Sequence, residues 1–162
     1  MSRLDSAIRR LEAQRDCLDR AAELVCRLPG PVFEVGLGNG RTYDHLRKRM
    51  PERTILVFDR HVAAHPDCIP PAEHLFLGDF RETLPAAAER FRGSAALIHA
   101  DIGSGDAAAS RSLAHALKPA VIRLLARGGV LVSDQAFDDA NLQGEALPAH
   151  VAPGRYFLYR SD

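Results

Sequence analysis

Three glycines in alternate positions, Gly36, Gly38 and Gly40, follow a short apolar run in the stretch PVFEVGLGNGRT at residues 31–42. Glycine allows a tight turn, and it lets backbone amides approach a ligand closely at the start of a helix. The stretch therefore predicts a ligand-binding loop between a strand and a helix. Dinucleotide-binding loops use G-x-G-x-x-G, and Arg41 stands where the last glycine of that pattern would fall, so the spacing disfavours NAD.

Acidic residues mark the ends of the apolar runs along the chain, and these residues are Glu34, Asp59, Asp79, Asp101 and Asp134. In an open parallel sheet the ligand crevice lies beyond the carboxyl ends of the strands. We therefore expect these acids to lie near the glycine loop. His99, near the end of the fourth run, is a candidate general base in the same crevice. A hydrogen-bonded structural histidine is the open alternative.

The predicted elements alternate between strands and helices. Five apolar, β-rich runs predict strands, namely VFEVGL, TILVFDR, HLFLGDF, AALIHADI and GGVLVSDQ. Helical patterns lie after the first run and before the fourth and fifth, in RTYDHLRKRM, ETLPAAAERF and ASRSLAHALKPAVIRLLARG. Nearly continuous apolar strands that alternate with helices indicate a mostly parallel sheet covered on both faces. The fold class expected is α/β, with a doubly wound, three-layer sheet.

The two ends of the chain differ from this alternating pattern. The C-terminal EALPAHVAPGRYFLYRSD has two extended segments on either side of APGR, with no room for a crossover helix, which predicts an antiparallel hairpin at the sheet edge. Near the N-terminus, apolar residues recur at helical spacing and predict one helix or a helix pair, through Leu4, Ile8, Leu11, Leu18, Ala22 and Val25.

The spacing of the apolar residues in the N-terminal helix is close to a heptad repeat, so this helix could form a dimer interface or cover the site. The alternative is that it packs against its own domain. We expect a single domain over residues 1–162. Residues 1–30 would form a helical cap or oligomerisation segment, and residues 31–162 would form the ligand-binding core of a homo-oligomer.

Composition narrows the class of partner. The 162 residues include 21 lysines and arginines and 21 aspartates and glutamates, so no global positive field is available for nucleic acid or an anionic membrane. Three cysteines, with no C-x-x-C motif, indicate a reducing compartment. Since no apolar run reaches the length of a signal peptide core or a membrane span, we expect a soluble cytoplasmic protein with no nucleic-acid or membrane partner.

The segment EVGLGNG resembles the first motif of the class I S-adenosylmethionine-dependent methyltransferases, an acid near the end of the first strand followed by G-x-G-x-G. The similarity runs from about Val32 to the C-terminal strand. It implies a Rossmann-like methyltransferase sheet that binds S-adenosyl-L-methionine. The cofactor contacts that it implies fall on Glu34, Gly36, Gly38, Asn39, Gly40, Thr42, Asp59, Arg60, Gly78, Asp79, Phe80, Asp101 and Ile102.

The resemblance also implies different roles for these residues. Asp59 would accept hydrogen bonds from both ribose hydroxyls, because a carboxylate has two acceptor oxygens. Asp79 and Phe80 would meet the adenine, and Asp101 with Ile102 would face the methionine end. The residues expected to act in catalysis at the methyl group are Asp101, Asp134 and His99.

A metal ion is a further possibility at the methyl end. LIHADIGSGD and GGVLVSDQAF resemble the cation-dependent O-methyltransferases, and the matching ligands would be Asp101, Asp134 and Gln135. Magnesium bound there would lower the pKa of a substrate hydroxyl. Gln135 departs from the asparagine of that family and has a longer side chain. The alternative without metal is that Asp134 caps a loop and Asp101 holds the cofactor amino group.

No motif in the chain identifies the methyl acceptor. We expect a small molecule with an oxygen or nitrogen nucleophile. Two other functions stay open at this point, a non-catalytic module that binds S-adenosylmethionine and an NAD-binding Rossmann domain.

Overall fold

A computed structural model describes residues 2–162 and contains a seven-stranded sheet. The helices are α1 Arg3–Leu24, α2 Arg41–Arg49, α3 Phe80–Arg90 and α4 Ala107–Leu124. The strands are β1 Val32–Val35, β2 Ile55–Asp59, β3 Leu75–Leu77, β4 Ala95–Ala100, β5 Leu125–Ser133, β6 Leu142–Gly144 and β7 Phe157–Ser161. Two single 3-10 turns, Pro66–Cys68 and Ala72–His74, precede β3.

The strand order β3-β2-β1-β4-β5-β7-β6 confirms the doubly wound α/β fold that the sequence predicts. Strands β1 to β5 pair in parallel, and β7 runs antiparallel to both β5 and β6. The chain leaves β1 on one side to form β2 and β3 and later returns to the other side with β4. The loops after β1 and β4 therefore diverge and leave a crevice between them.

Hydrophobic cores lie on both faces of the sheet. Phe33 and Phe58 pack on the face that α3 and α4 cover, whereas Val32 and Val57 pack on the face that α1 and α2 cover. All four residues of β1 are buried, because helices cover both faces. Side chains alternate along a strand, so Glu34, two residues after Val32, points toward the α1–α2 face.

The N-terminal prediction is confirmed as a single helix. Helix α1 begins with a capping box in which Ser2 and Asp5 satisfy each other's backbone amides. Its later turns pack across β4 and β5. Its first turns extend beyond this contact, and Leu4 and Ile8 are 69% and 45% exposed.

Several predicted boundaries were wrong. HLFLGDF, predicted as one strand, ends as a strand at Leu77, and Phe80 begins α3. Helix α4 ends at Leu124, and residues 125–127, predicted as helix, begin β5 because Leu125 pairs with Ala95 ahead of a register shift in β4. The antiparallel hairpin is present at the sheet edge, but its first strand is β6 rather than the segment next to APGR. Residues 145–156 form a long loop instead, in which Pro148 and Pro153 lack the N–H that a sheet ladder needs.

Among residues 2–162, no helix is both long enough and apolar enough to cross a membrane.

Candidate active site

A cavity of about 1250 Å³ lies at the carboxyl ends of the parallel strands. Pockets for one drug-sized ligand are typically about 300–1000 Å³, so this cavity has room for a second molecule. It brings together nine of the residues predicted from the sequence, namely Gly36, Gly38, Asp59, Arg60, Phe80, Asp101, Ile102, Asp134 and Gln135.

The glycine loop forms one wall of the cavity. Gly36 has φ +97°, and a Cβ there would collide with the backbone oxygen of Asp101. Gly38 has φ +52°, and the space beside its Cα is open. The two glycines are therefore required for different reasons, the first for close packing against the loop after β4 and the second for a left-handed turn beside the cavity.

Asp59, at the end of β2, holds this loop in place. Its Oδ2 accepts hydrogen bonds from the backbone amides of Leu37 and Gly38, at 2.8 and 3.1 Å. Its Oδ1 accepts one from the amide of Arg60 at 2.6 Å. A carboxylate oxygen has two lone pairs, so Oδ1 retains capacity for a ligand hydroxyl.

Other predicted cofactor residues lie beside or behind the cavity wall, and these are Glu34, Asn39, Gly40, Thr42, Gly78 and Asp79. Asp79 is the N-cap of α3 and accepts a hydrogen bond from the amide of Arg81 at 2.8 Å. Thr42 donates its hydroxyl hydrogen to Glu34 beneath the loop. These contacts to protein groups show how the loop and the start of α3 are supported.

Acidic side chains from the loops after β4 and β5 also line the cavity. Asp134 accepts hydrogen bonds from the backbone amides of Ile102 and Gly103, at 3.1 and 2.8 Å. Burial and the nearby charge of Asp101 raise the pKa of the Asp134 carboxyl above its ordinary value. A cationic ligand would offset this concentration of negative charge.

The residues present do not fit the magnesium site considered above. Gln135, whose amide oxygen would be a ligand, instead directs its amide nitrogen toward Asp134 Oδ2 at 3.3 Å. Magnesium requires oxygen ligands in near-octahedral geometry. No group of three or more His, Cys, Asp or Glu side chains suited to a metal ion occurs within residues 2–162.

His99 lies behind the cavity wall in a completely buried position. Strands β1 and β4 place it opposite Glu34, and its Nδ1 is 2.7 Å from Glu34 Oε2. Its Nε2 is 2.7 Å from the hydroxyl of Tyr156. Burial alone would lower the pKa of His99, but the charge and hydrogen bond of Glu34 outweigh it and raise that pKa above the ordinary value.

Two residues that the sequence reasoning missed complete this region. Gln14 of α1 donates to Asp101 Oδ2 at 2.8 Å and to the Tyr156 hydroxyl at 3.1 Å. Tyr156 ends the long loop 145–156, whose residues 152–156 line the cavity. Gln14 could have been found from the sequence, because it is a polar residue on the otherwise apolar face of α1. Tyr156 carried no such signal, because its segment reads as a strand.

Further cavity residues missed from the sequence are Arg10, Arg81, Gly103, Ser104, Ala109, Ser110, Leu113 and residues 152–155. They come from α1, α3, the loop after β4, the first two turns of α4 and the C-terminal loop. Their positions depend on how distant elements pack, which a local motif does not reveal.

Comparison with known proteins identifies the family. A family model described as S-adenosyl-L-methionine methyltransferase matches residues 1–161. A crystal structure of an S-adenosyl-L-methionine methyl transferase from Silicibacter pomeroyi DSS-3 is 46% identical, with 100% of this chain and 99% of that chain covered and a TM-score of 0.95. No curated protein matches the chain.

More distant structures share the fold alone. TrmN from Thermus thermophilus is 14% identical, with 90% of this chain and 48% of that chain covered and a TM-score of 0.63. MycE, a methyltransferase from the mycinamycin biosynthetic pathway in complex with Mg, SAH and mycinamycin VI, is also 14% identical, with 88% and 44% covered and a TM-score of 0.57.

The family match covers nearly the whole chain. It identifies S-adenosylmethionine rather than NAD as the cofactor, and it identifies the protein as an enzyme rather than a non-catalytic module. The chain belongs to the S-adenosyl-L-methionine methyltransferase family.

Proposed function

We propose that this enzyme transfers the methyl group of S-adenosylmethionine to an oxygen or nitrogen atom of a small-molecule acceptor. The observation that carries the proposal is the continuous cavity of about 1250 Å³. The glycine loop and Asp59 lie at one end, which we term the cofactor end. Asp101, Asp134 and Tyr156 lie at the other, which we term the acceptor end.

At the cofactor end, the one acceptor position that Asp59 Oδ1 retains suits one ribose hydroxyl, rather than both as the sequence predicted, because Oδ2 already accepts two backbone N–H groups. Phe80, which lines the cavity at the start of α3, offers a ring beside the adenine. The sulfonium and ammonium groups of the cofactor would then lie toward Asp101 and Asp134. Their positive charges would offset the repulsion between these carboxylates, which is the electrostatic reason for this orientation.

Methyl transfer mainly requires the protein to align the nucleophile, the methyl carbon and the sulfur, because the sulfonium is already a good leaving group. A cavity that holds two molecules side by side supplies this alignment. The net charge of zero favours a small acceptor over a nucleic acid.

We also propose a cytoplasmic location and a homo-oligomer. The free cysteines Cys17, Cys26 and Cys68 are consistent with a reducing compartment. The exposed Leu4 and Ile8 on the first turns of α1 offer an apolar surface to a second copy. Light scattering on the purified protein measures the oligomeric state directly, and a monomer at all concentrations would remove this part of the proposal.

Calorimetric titration with S-adenosylmethionine, S-adenosylhomocysteine and NAD, with and without magnesium, tests the cofactor assignment. We expect micromolar binding of the two sulfur ligands, no binding of NAD and no effect of magnesium. A screen of small phenols, carboxylic acids and amines for release of S-adenosylhomocysteine then tests the acceptor class. Transfer to nucleic acid or protein, with no small acceptor, would contradict it.

A further inference from the structure

A continuous line of hydrogen bonds leads from the acceptor end of the cavity into the core. Tyr156 lines the cavity, yet it is only 1% exposed, and its hydroxyl lies 2.7 Å from His99 Nε2. His99 Nδ1 lies 2.7 Å from Glu34 Oε2, and both of these side chains are fully buried. We call these three residues the Tyr156–His99–Glu34 line.

The donors in this line all point the same way when His99 is neutral. Gln14 has two amide hydrogens and donates one to Asp101 and one to the oxygen of Tyr156. Since an amide nitrogen only donates, the Tyr156 hydroxyl hydrogen is free to point to His99 Nε2. His99 then donates from Nδ1 to Glu34, whose other oxygen accepts from Thr42.

Tyr156 retains one place for a further partner. A phenol oxygen accepts two hydrogen bonds and donates one, and here it accepts from Gln14 and donates to His99. The remaining lone pair is available to a nucleophile that still carries its proton. Asp101 Oδ2 and the Tyr156 oxygen both lie within 3.1 Å of the Gln14 amide nitrogen, so this place adjoins the proposed methyl end.

We propose that the Tyr156–His99–Glu34 line is a proton relay that takes the proton of the methyl acceptor, an inference that rests on the proposed function. As the acceptor atom bonds to the methyl carbon and the carbon–sulfur bond breaks, its proton passes to the Tyr156 oxygen. The original hydroxyl proton of Tyr156 passes to His99 Nε2. The products are methylated acceptor, S-adenosylhomocysteine, neutral Tyr156 and an imidazolium paired with Glu34.

The charges around His99 suit this final state. Glu34 of β1, Asp101 after β4 and Asp134 after β5 all favour the imidazolium, and Glu34 is in direct contact. Burial and the charge of Asp101 raise the pKa of Tyr156 well above its ordinary value, so the phenol passes a proton on without remaining ionised. His99 is therefore the base, and Tyr156 connects it to the cavity.

Nitrogen NMR of protein labelled with [15N]histidine tests the relay without an acceptor. His99→Asn assigns the His99 signals by their absence from the spectrum. We expect the wild-type protein above the pKa of His99 to carry its proton on Nδ1 and to leave Nε2 unprotonated. We expect exchange of the His99 ring proton with water to slow by at least about tenfold in Tyr156→Phe, since the hydroxyl is the connection to the cavity. Tyr159→Phe, which removes a hydroxyl bonded to the Phe137 amide, should exchange like the wild type.

Two outcomes would overturn the relay. One is a proton on Nε2 in the neutral wild-type protein, a reading that requires no variant to fold. The other is an unchanged exchange rate in Tyr156→Phe. Titration of the same wild-type sample with S-adenosylmethionine separates the relay from the proposed function, since absence of cofactor binding would contradict the latter whatever the NMR result.

Discussion

The cofactor end and the acceptor end of the cavity are built in different ways. The glycine loop and Asp59 of the cofactor end come from one continuous stretch, β1 to β2, in which Asp59 accepts hydrogen bonds from backbone amides of the loop. The acceptor end joins parts of the chain that are far apart, since Gln14 bonds to Asp101 across 87 positions and to Tyr156 across 142.

This difference separates the properties that the protein shares with other enzymes from those that are its own. Backbone geometry and one carboxylate shape the loop that we propose for the cofactor. Selection of an acceptor and removal of its proton depend on side chains that only tertiary packing brings together. Substitutions at the two ends should therefore have separable effects.

Glu34 links the two ends, because it contacts Thr42 at the start of α2 and His99 behind the acceptor end. At about pH 6, where His99 with its raised pKa carries a proton, we expect Glu34→Gln to lower the free energy of unfolding by about 3–5 kcal/mol, the scale for loss of one partner from a buried ion pair. Chemical denaturation measures this. The matched control is Glu145→Gln, whose partner Arg160 is partly exposed, and it should cost no more than about 1 kcal/mol. Equal losses of stability in the two variants would contradict the role of Glu34 as the buried partner of His99.

Tyr156→Phe should affect the acceptor end alone. We expect turnover of an acceptor found in the screen to fall by about 10²–10⁴-fold, the range for loss of general-base assistance. S-adenosylmethionine affinity should stay within about threefold, because the cofactor contacts are retained. Release of S-adenosylhomocysteine and calorimetry measure the two quantities. A loss of cofactor affinity with little loss of turnover would indicate that Tyr156 acts at the cofactor end and not at the acceptor end.

Asp59→Ala should affect the cofactor end. We expect S-adenosylmethionine binding to weaken by about 1–3 kcal/mol, the scale of lost charge-assisted hydrogen bonds. Calorimetric titration measures the change. Unchanged affinity would remove the ribose role and leave Asp59 only as the support of the glycine loop.

His99 predicts a pH dependence of stability. Burial lowers its pKa, but Glu34 raises it by more, so the folded pKa lies above the unfolded value of about 6.5. The folded protein therefore binds the proton more tightly, and this stabilisation is complete below about pH 6.5 and is lost as the pH rises through the raised pKa. Melting curves from about pH 5 to 9 should show this decline in the wild type. The same decline in His99→Asn would assign it to another group.

The sequence predicted the cofactor end more fully than the acceptor end, and the reason is physical. The glycine spacing and Asp59 are local features of one strand–loop–helix unit, so their placement follows from the pattern. The site of Tyr156 depends on the loop 145–156, which APGR suggested to be a hairpin turn. His99 was recognised as a candidate base, but its separation from the cavity by Tyr156 follows only from the pairing of β1 with β4 and the return of the C-terminal loop.

A crystal structure with bound S-adenosylmethionine tests the two-ended arrangement most directly. We predict a ribose hydroxyl on Asp59 Oδ1, the sulfonium beside Asp101 and the methyl group directed toward the space next to the Tyr156 hydroxyl. A cofactor bound in the reverse direction, or with its methyl group turned away from Tyr156, would contradict the account.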